Sequence, residues 1–241
     1  MINVLWMYPD ILNLHGERAN AKAFEVIGKK LGLKVNIDRL DNIDEKIDFD
    51  KYDILLFNAG ELKEIEVLSN IMKKQIDELK KYIKDKKVIF ITGTTGALFS
   101  NKIERLDGTT FNGLNIFDAY VKEKEYVYGD DVYFKFKNMK IIGPQIQMID
   151  IDIRNEKPLG KTIYGYGNNN TKSEGMIKNN VIFTNTLGPA LVKNPWLCEY
   201  LFDIVIKNKN LKVKKKKVKY DLEEKSLKSS LEFIDKKMVV K

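Results

Sequence analysis

Apolar residues fall in short, regularly spaced runs along the first hundred positions. "NVLWMYP" reads as a buried strand, and from Arg18 to Leu33 the residues Ala23, Phe24, Ile27 and Leu31 recur at helical spacing. "LKVNIDRL" alternates, with Val35, Ile37 and Arg39 set against polar neighbours, and predicts a second strand. "YDILLFNAG" is an unbroken apolar run, as expected of a strand buried on both faces in a parallel sheet. Between Glu64 and Lys86, Ile65, Leu68, Met72, Ile76, Leu79 and Ile83 recur every three or four residues among lysines and acids, which predicts one long surface helix. "KVIFITG" supplies a fourth strand. The order β-α-β-β-α-β predicts an α/β fold with a largely parallel sheet, whose ligands gather at the carboxyl ends of the strands.

The second half changes period. "EYVYGDDVYFKFKNMKIIGPQIQMIDIDI" alternates over short stretches broken by turn residues, which predicts antiparallel hairpins extending the same sheet. "GYGNNNTKSEG" is a polar loop, "NNVIFTNTLGP" a buried strand with its loop, and "NPWLCEYLFDIVIK" a helix with Asn194 as N-cap and Pro195 in its first turn. "SLKSSLEFIDKKM" predicts a short last helix. The expected organisation is one domain over 1–206, a lysine-rich connector over 207–219 and a C-terminal tail over 220–241.

Composition narrows the class. The chain has 241 residues, enough for one sizeable core, and a single cysteine, Cys198, so neither an internal disulfide nor a cysteine-pair zinc site is expected. That usage suits a reducing compartment, and the expected location is the cytoplasm. No run approaches the ~18 apolar residues of a spanning helix, so an integral membrane protein is not expected. The formal net charge is +8, and residues 207–219, "KNKNLKVKKKKVK", carry eight lysines and no acid, leaving a neutral body. Only four basic residues are arginine (Arg18, Arg39, Arg105, Arg154), which argues against specific nucleic-acid recognition. The lysine run reads as a solvated connector that can also touch an anionic surface.

One stretch invites chemistry. "VIFITGTTGALFS", residues 88–100, is a strand, a tight turn and a helix start, the arrangement in which many α/β enzymes present a nucleophile, yet it holds no cysteine, no histidine and no serine before Ser100. "GTTG" lacks the lysine and spacing of a phosphate-binding P-loop, and no metal or cofactor is expected.

Three further stretches carry a family pattern: "MYPDILNLHGERANAKAF", "NAGELKEIE" after the third strand, and "PLGKTIYGYGNN…EG…VIFTNTLGPALVKNPWL". In this order and spacing they resemble the glutamine amidotransferase subunits that work with a Mur-ligase-like partner to amidate lipid II, in the cobyric-acid-synthase-like branch of the class I glutamine amidotransferases. The resemblance covers residues 1 to about 205. It implies a flavodoxin-like three-layer sandwich and a cysteine–histidine glutaminase, in which a thiolate attacks the glutamine amide, backbone N–H groups hold the oxyanion and histidine moves the proton. It also implies an ATP-dependent Mur-ligase-like partner that consumes the ammonia.

Carried over position by position, the family's cysteine falls on Thr92, with Gly93, Thr94, Thr95 and Gly96 after it, and the family's histidine falls on Leu187. In the loop after the third strand Gly60 matches, while Glu61 and Leu62 do not. Gly60 and Gly93 are the remnant of an oxyanion site, and Asn58, Glu61, Thr94 and Thr95 are candidates to line a pocket or, equally, to satisfy backbone groups in turns. An internal threonine lacks the terminal amine that self-sufficient threonine nucleophiles use. Cys198 sits inside a helix among Leu197, Tyr200 and Leu201 and reads as packing; His15, the only histidine, lies in the loop after the first strand. Three functions follow: a subunit that keeps the fold and the partner without glutaminase activity, a module binding glutamine or another small metabolite, and an amidotransferase whose nucleophile is not recognised.

Overall fold

The computed structural model describes residues 1–239. The parallel core forms as the pattern predicts: β1 (Ile2–Met7), α1 (Ala19–Leu31), β2 (Val35–Leu40), β3 (Ile54–Phe57), α2 (Leu62–Met72), α3 (Ile76–Lys84) and β4 (Val88–Thr92), then a 3-10 turn over Gly93–Phe99. Next come β5 (Lys102–Glu104), β6 (Thr110–Asn112), β7 (Tyr120–Phe136), β8 (Met139–Asp152), β9 (Gly160–Tyr164), β10 (Ser173–Glu174), β11 (Met176–Lys178) and β12 (Val181–Thr184). Three helices close the chain: α4 (Ala190–Lys193), α5 (Pro195–Asn208) and α6 (Asp221–Val239).

The first sheet has the order β11-β12-β4-β3-β1-β2, parallel except for β11. Its parallel strands follow the flavodoxin-like order, and alternate residues face opposite layers. Leu5, Leu55, Ile89 and Phe183 pack with Ile65, Leu68 and Met72 of α2 and Leu79 of α3. Val4, Leu56, Phe90 and Ile182 pack with Phe24 and Ile27 of α1 and with Leu201 and Phe202 of α5. The Phe24 and Phe202 rings meet edge to face at 5.7 Å.

Three expectations change. The long helix expected from Glu64 to Lys86 is two helices, because Gln75 leaves helical dihedrals (φ −126°, ψ 27°) and its Oε1 accepts a bond from the Ile47 N–H at 2.8 Å. The hairpins expected to extend the first sheet form a second sheet, β10-β9-β7-β5-β6 with β8 on β7, and only β11 extends the first. A ribbon such as β7–β8, closed by a tight turn with Lys137 at φ 53°, pairs with itself at low loop-closure cost. The second sheet joins the body through both cores: Val121 and Ile149 lie in one, Phe134 and Ile141 in the other. The expected short last helix is the 19-residue α6, whose buried Ile234 sits with Leu227 and Leu231 against Tyr133, Ile142 and Tyr164. Residues 240 and 241 of the expected tail lie outside the described residues.

Of the expected connector 207–219, residues 207 and 208 are the end of α5, and the stretch from 209 to 219 is laid against the body as a strap without helix or strand. The Lys216 N–H donates to Leu31 O at 2.9 Å, and Leu211 and Val218 pack against the core that holds α1 and α5.

Candidate functional site

The strand-to-helix elbow is present at the carboxyl end of β4. Its left-handed backbone falls on Gly93 (φ +59°), while Thr92 is the last residue of the strand. In a nucleophile elbow that strained turn falls on the residue presented, and here it falls on Gly93, one residue after Thr92. The space above it is filled. A Cβ added there would lie 2.9 Å from Ala59 Cβ and 3.0 Å from Leu187 Cδ2. Leu187 is buried, and its N–H donates to Pro144 O at 2.8 Å. The elbow and the residue before Gly188 and Pro189 therefore lie together in space, with methyl groups of Ala59 and Leu187 nearest the place a Cβ of residue 93 would take.

Thr92, Thr95 and Asn58 are buried; the two hydroxyls and the Asn58 Oδ1 bond to the scaffold, while Asn58 Nδ2 has no partner. Thr95 Oγ1 donates to Asn58 O at 2.7 Å, and Asn58 Oδ1 accepts from Asn20 Nδ2 at 3.2 Å. Thr92 Oγ1 donates to Glu17 at 3.3 Å. Glu17, missed in the sequence because a lone acid in a loop reads as solvated, is wholly buried at this end of the sheet. It accepts from Asn20 Nδ2 at 2.6 Å and from the Gly188 N–H at 2.7 Å, and Asn20 Oδ1 accepts the Leu191 N–H at 2.9 Å. Burial pushes its pKa up to about 7, against the pull of those three donors. The carboxyl group thus ties the loop after β1 to the elbow strand and to the loop after β12.

Beside this filled centre a cavity of about 430 Å³ stays open, lined among others by His15, Gly60, Glu61, Lys63, Thr94 and Arg105. Gln147 and Ile149 of the long hairpin form its far wall. Glu61 and Lys63 pair at 2.7 Å, Arg105 pairs with Glu66, and buried Gln147 leaves its Oε1 without a partner. Of the sequence candidates, Gly60, Glu61, Thr94 and His15 line this space; Thr92, Thr95, Asn58, Gly93 and Leu187 lie beneath it or in the core. His15 takes a left-handed backbone (φ 58°), and partial burial lowers its pKa. Gly60 lies under the loop after β1, where a Cβ would come within 2.5 Å of Leu12 Cδ2. Among the described residues no three His, Cys, Asp or Glu side chains are placed to hold a metal ion.

Cys198 lies on the other face of the sheet, fully buried in α5 among Leu197 and Leu201. Burial pushes its thiol far above the usual range, the opposite of an activated thiolate.

The "GYGNN…EG" stretch builds a second buried network. Glu174 accepts from Thr184 Oγ1 at 2.6 Å, the Asn185 N–H at 2.8 Å and Asn185 Nδ2 at 2.7 Å, and burial raises its pKa. Asn185 Nδ2 also reaches Asn168 Oδ1 at 2.9 Å, and Asn168 Nδ2 donates to Gly175 O at 3.0 Å. Asn194, expected as an N-cap, stands at that position without a side-chain capping bond. Its Oδ1 accepts the Ile142 N–H at 3.0 Å and its Nδ2 donates to Ile142 O and Ala190 O, both at 2.9 Å, so it bolts β8 to the helix layer.

No family model matches the chain. The GatD subunit of the glutamine-hydrolysing lipid II isoglutaminyl synthase of Staphylococcus aureus is 29% identical over 216 residues, covering 89% of this chain and 88% of that one. The GatD subunit from Streptococcus pneumoniae is 27% identical over 223 residues, covering 86% and 82%. Among solved structures, PurLQS from Thermotoga maritima aligns with a TM-score of 0.55 at 12% identity, over 86% of this chain and 98% of the matched chain. A glutamine amidotransferase from the same organism aligns at 0.52 and 11%, over 87% and 86%. The curated relatives of this chain are GatD subunits of lipid II isoglutaminyl synthase, and its fold is that of the class I glutamine amidotransferases.

Proposed function

We propose that this protein is a GatD-like subunit that keeps the amidotransferase fold and an ATP-dependent, Mur-ligase-like partner but does not hydrolyse glutamine. The observation that carries the reading is the contact of Gly93, Ala59 and Leu187: where the family needs a thiol facing an imidazole, two aliphatic side chains close over a glycine. Loss of nucleophile and base together leaves a hydrolase only roughly 10³- to 10⁴-fold over water. The partner then takes its nitrogen from free ammonia. Affinity purification of the tagged chain from its host, followed by an amidation assay on the recovered complex, tests this reading. The expected complex contains a ligase-like subunit and works with ammonium salts, not with glutamine; equal rates from glutamine would overturn the proposal.

The open cavity favours a second reading, a metabolite-binding module on the same fold. Its lining keeps charges of both signs, with His15, Thr94 and the unpartnered Gln147 Oε1, while the chemistry beside it is gone. A thermal-shift screen of amino acids and their amides on the purified chain tests it: a stabilising ligand whose effect is lost in Thr94→Tyr supports the module, and no shift from any of them removes it.

A further inference from the structure

We propose that the lysine strap is a docking face for an anionic phospholipid surface, a role independent of what the cavity binds. The strap is fixed, so its charges are held in place. Lys209 Nζ sits 2.9 Å from Asp53 and 3.3 Å from Met1 O, and Lys215 Nζ sits 2.6 Å from Asp203 and 3.3 Å from Glu199. The Lys216 N–H holds the middle of the strap to Leu31 O, with its methylenes against Gly32. Two lysines thus occupy the neighbouring acids, and the rest are surplus: Lys207, Lys212, Lys214, Lys216, Lys217 and Lys219 are exposed and form no ion pair among the described residues. Lys29 and Lys30 at the end of α1 and Lys34 before β2 continue the same exposed surface.

The composition of this face selects the occupant. It carries no arginine and no exposed aromatic ring, since Tyr220 is buried, so the bidentate and stacking contacts used on nucleic acids are absent. Lysines on flexible stems, spread along an extended chain around an exposed Val213, suit a continuous sheet of phosphate headgroups, where each adds its attraction without needing its own register. The strap begins beside the amino ends of β1 and β3, and the cavity lies at the carboxyl ends, so docking leaves the cavity open.

Sedimentation with vesicles of phosphatidylcholine, and of phosphatidylcholine with phosphatidylglycerol at about two to one, tests the proposal. The expected result is binding to the anionic vesicles only, lost as salt rises from ~50 mM to ~500 mM. Two triple variants with the same change in net charge separate the face from overall charge. K214E/K217E/K219E is expected to bind roughly 100-fold more weakly, and K74E/K80E/K84E, on the opposite helix layer, at most a few-fold more weakly. If the reversed strap does not fold, as judged by circular dichroism, K214Q/K217Q/K219Q replaces it, with a smaller loss expected. No binding to anionic vesicles, or equal losses in the two variants, would overturn the proposal. So would displacement from the vesicles by duplex DNA or an acidic peptide at lower charge concentration, which would assign the face to that partner.

Discussion

The elbow over Gly93 and the Asn168–Glu174–Asn185 network at the end of β12 both lie in stretches that resemble the family, yet apolar groups close over the one and hydrogen-bonded polar groups build the other. At the elbow the meeting groups are a glycine, an alanine methyl and a leucine methyl. In the network every oxygen of a buried carboxylate has a donor. The difference follows from what each region does for the fold. An unpaired buried carboxylate costs several kcal/mol, so the network can be lost only all at once. A cysteine and a histidine whose sole task is chemistry can be replaced by apolar groups of fitting shape without penalty to folding.

The largest effect is expected in the network. Glu174→Ala strips Thr184, Asn185 and their backbone of partners in a fully buried place, and urea unfolding should show a loss on the order of 4 kcal/mol. Loss of less than ~1 kcal/mol would break the comparison. Glu17 gives the next effect, through pH. Its folded pKa lies near 7 against an ordinary 4.5, so the folded state holds a proton that the unfolded chain releases. The stability it contributes is fully present below about 4.5 and is lost as pH rises through about 7. Glu17→Gln should flatten that fall by on the order of 3 kcal/mol in urea titrations between the two limits. A residual slope of the same sign is expected from Glu174, whose pKa burial also raises. Asn194→Ala, which frees the buried Ile142 N–H, should cost about 2 kcal/mol in the same assay.

The elbow should respond to chemistry more than to stability measurements. Ala59→Gly and Leu187→His open the space over residue 93, so A59G/G93C/L187H should take up an electrophilic glutamine analogue covalently, detected by mass spectrometry. T92C/L187H should not, because residue 92 points into the Glu17 network. Labelling of residue 92 alone would move the presented position back by one.

These contrasts also mark what the sequence makes legible. Buried parallel strands announce themselves as unbroken apolar runs, and Val88–Thr92 and Val181–Thr184 sit where their runs predict. The break at Gln75 is hidden because apolar spacing continues through it; its cause is a side-chain bond to a loop 28 residues away. The second sheet is hidden because an alternating strand looks the same at a sheet's edge as in a sheet of its own. At the site, the pattern brings Leu187 to the elbow, but which residue turns left-handed depends on where β4 stops, a one-residue matter that spacing does not resolve. Glu17 and Glu174 read as surface acids, since donors that make them buriable come from other elements, 171 residues away for Gly188 on Glu17 and 10 for Thr184 on Glu174.

The central claim is that no group at this elbow attacks glutamine. Its most direct measurement is ammonia release from glutamine by the purified chain, alone and with the proposed ligase-like partner co-expressed, beside Cys198→Ala. The expected result is release no faster than the protein-free control in every case, unchanged by the substitution. Turnover above that control that disappears in Cys198→Ala would contradict the account, since a thiol in the core of α5 would then be the nucleophile.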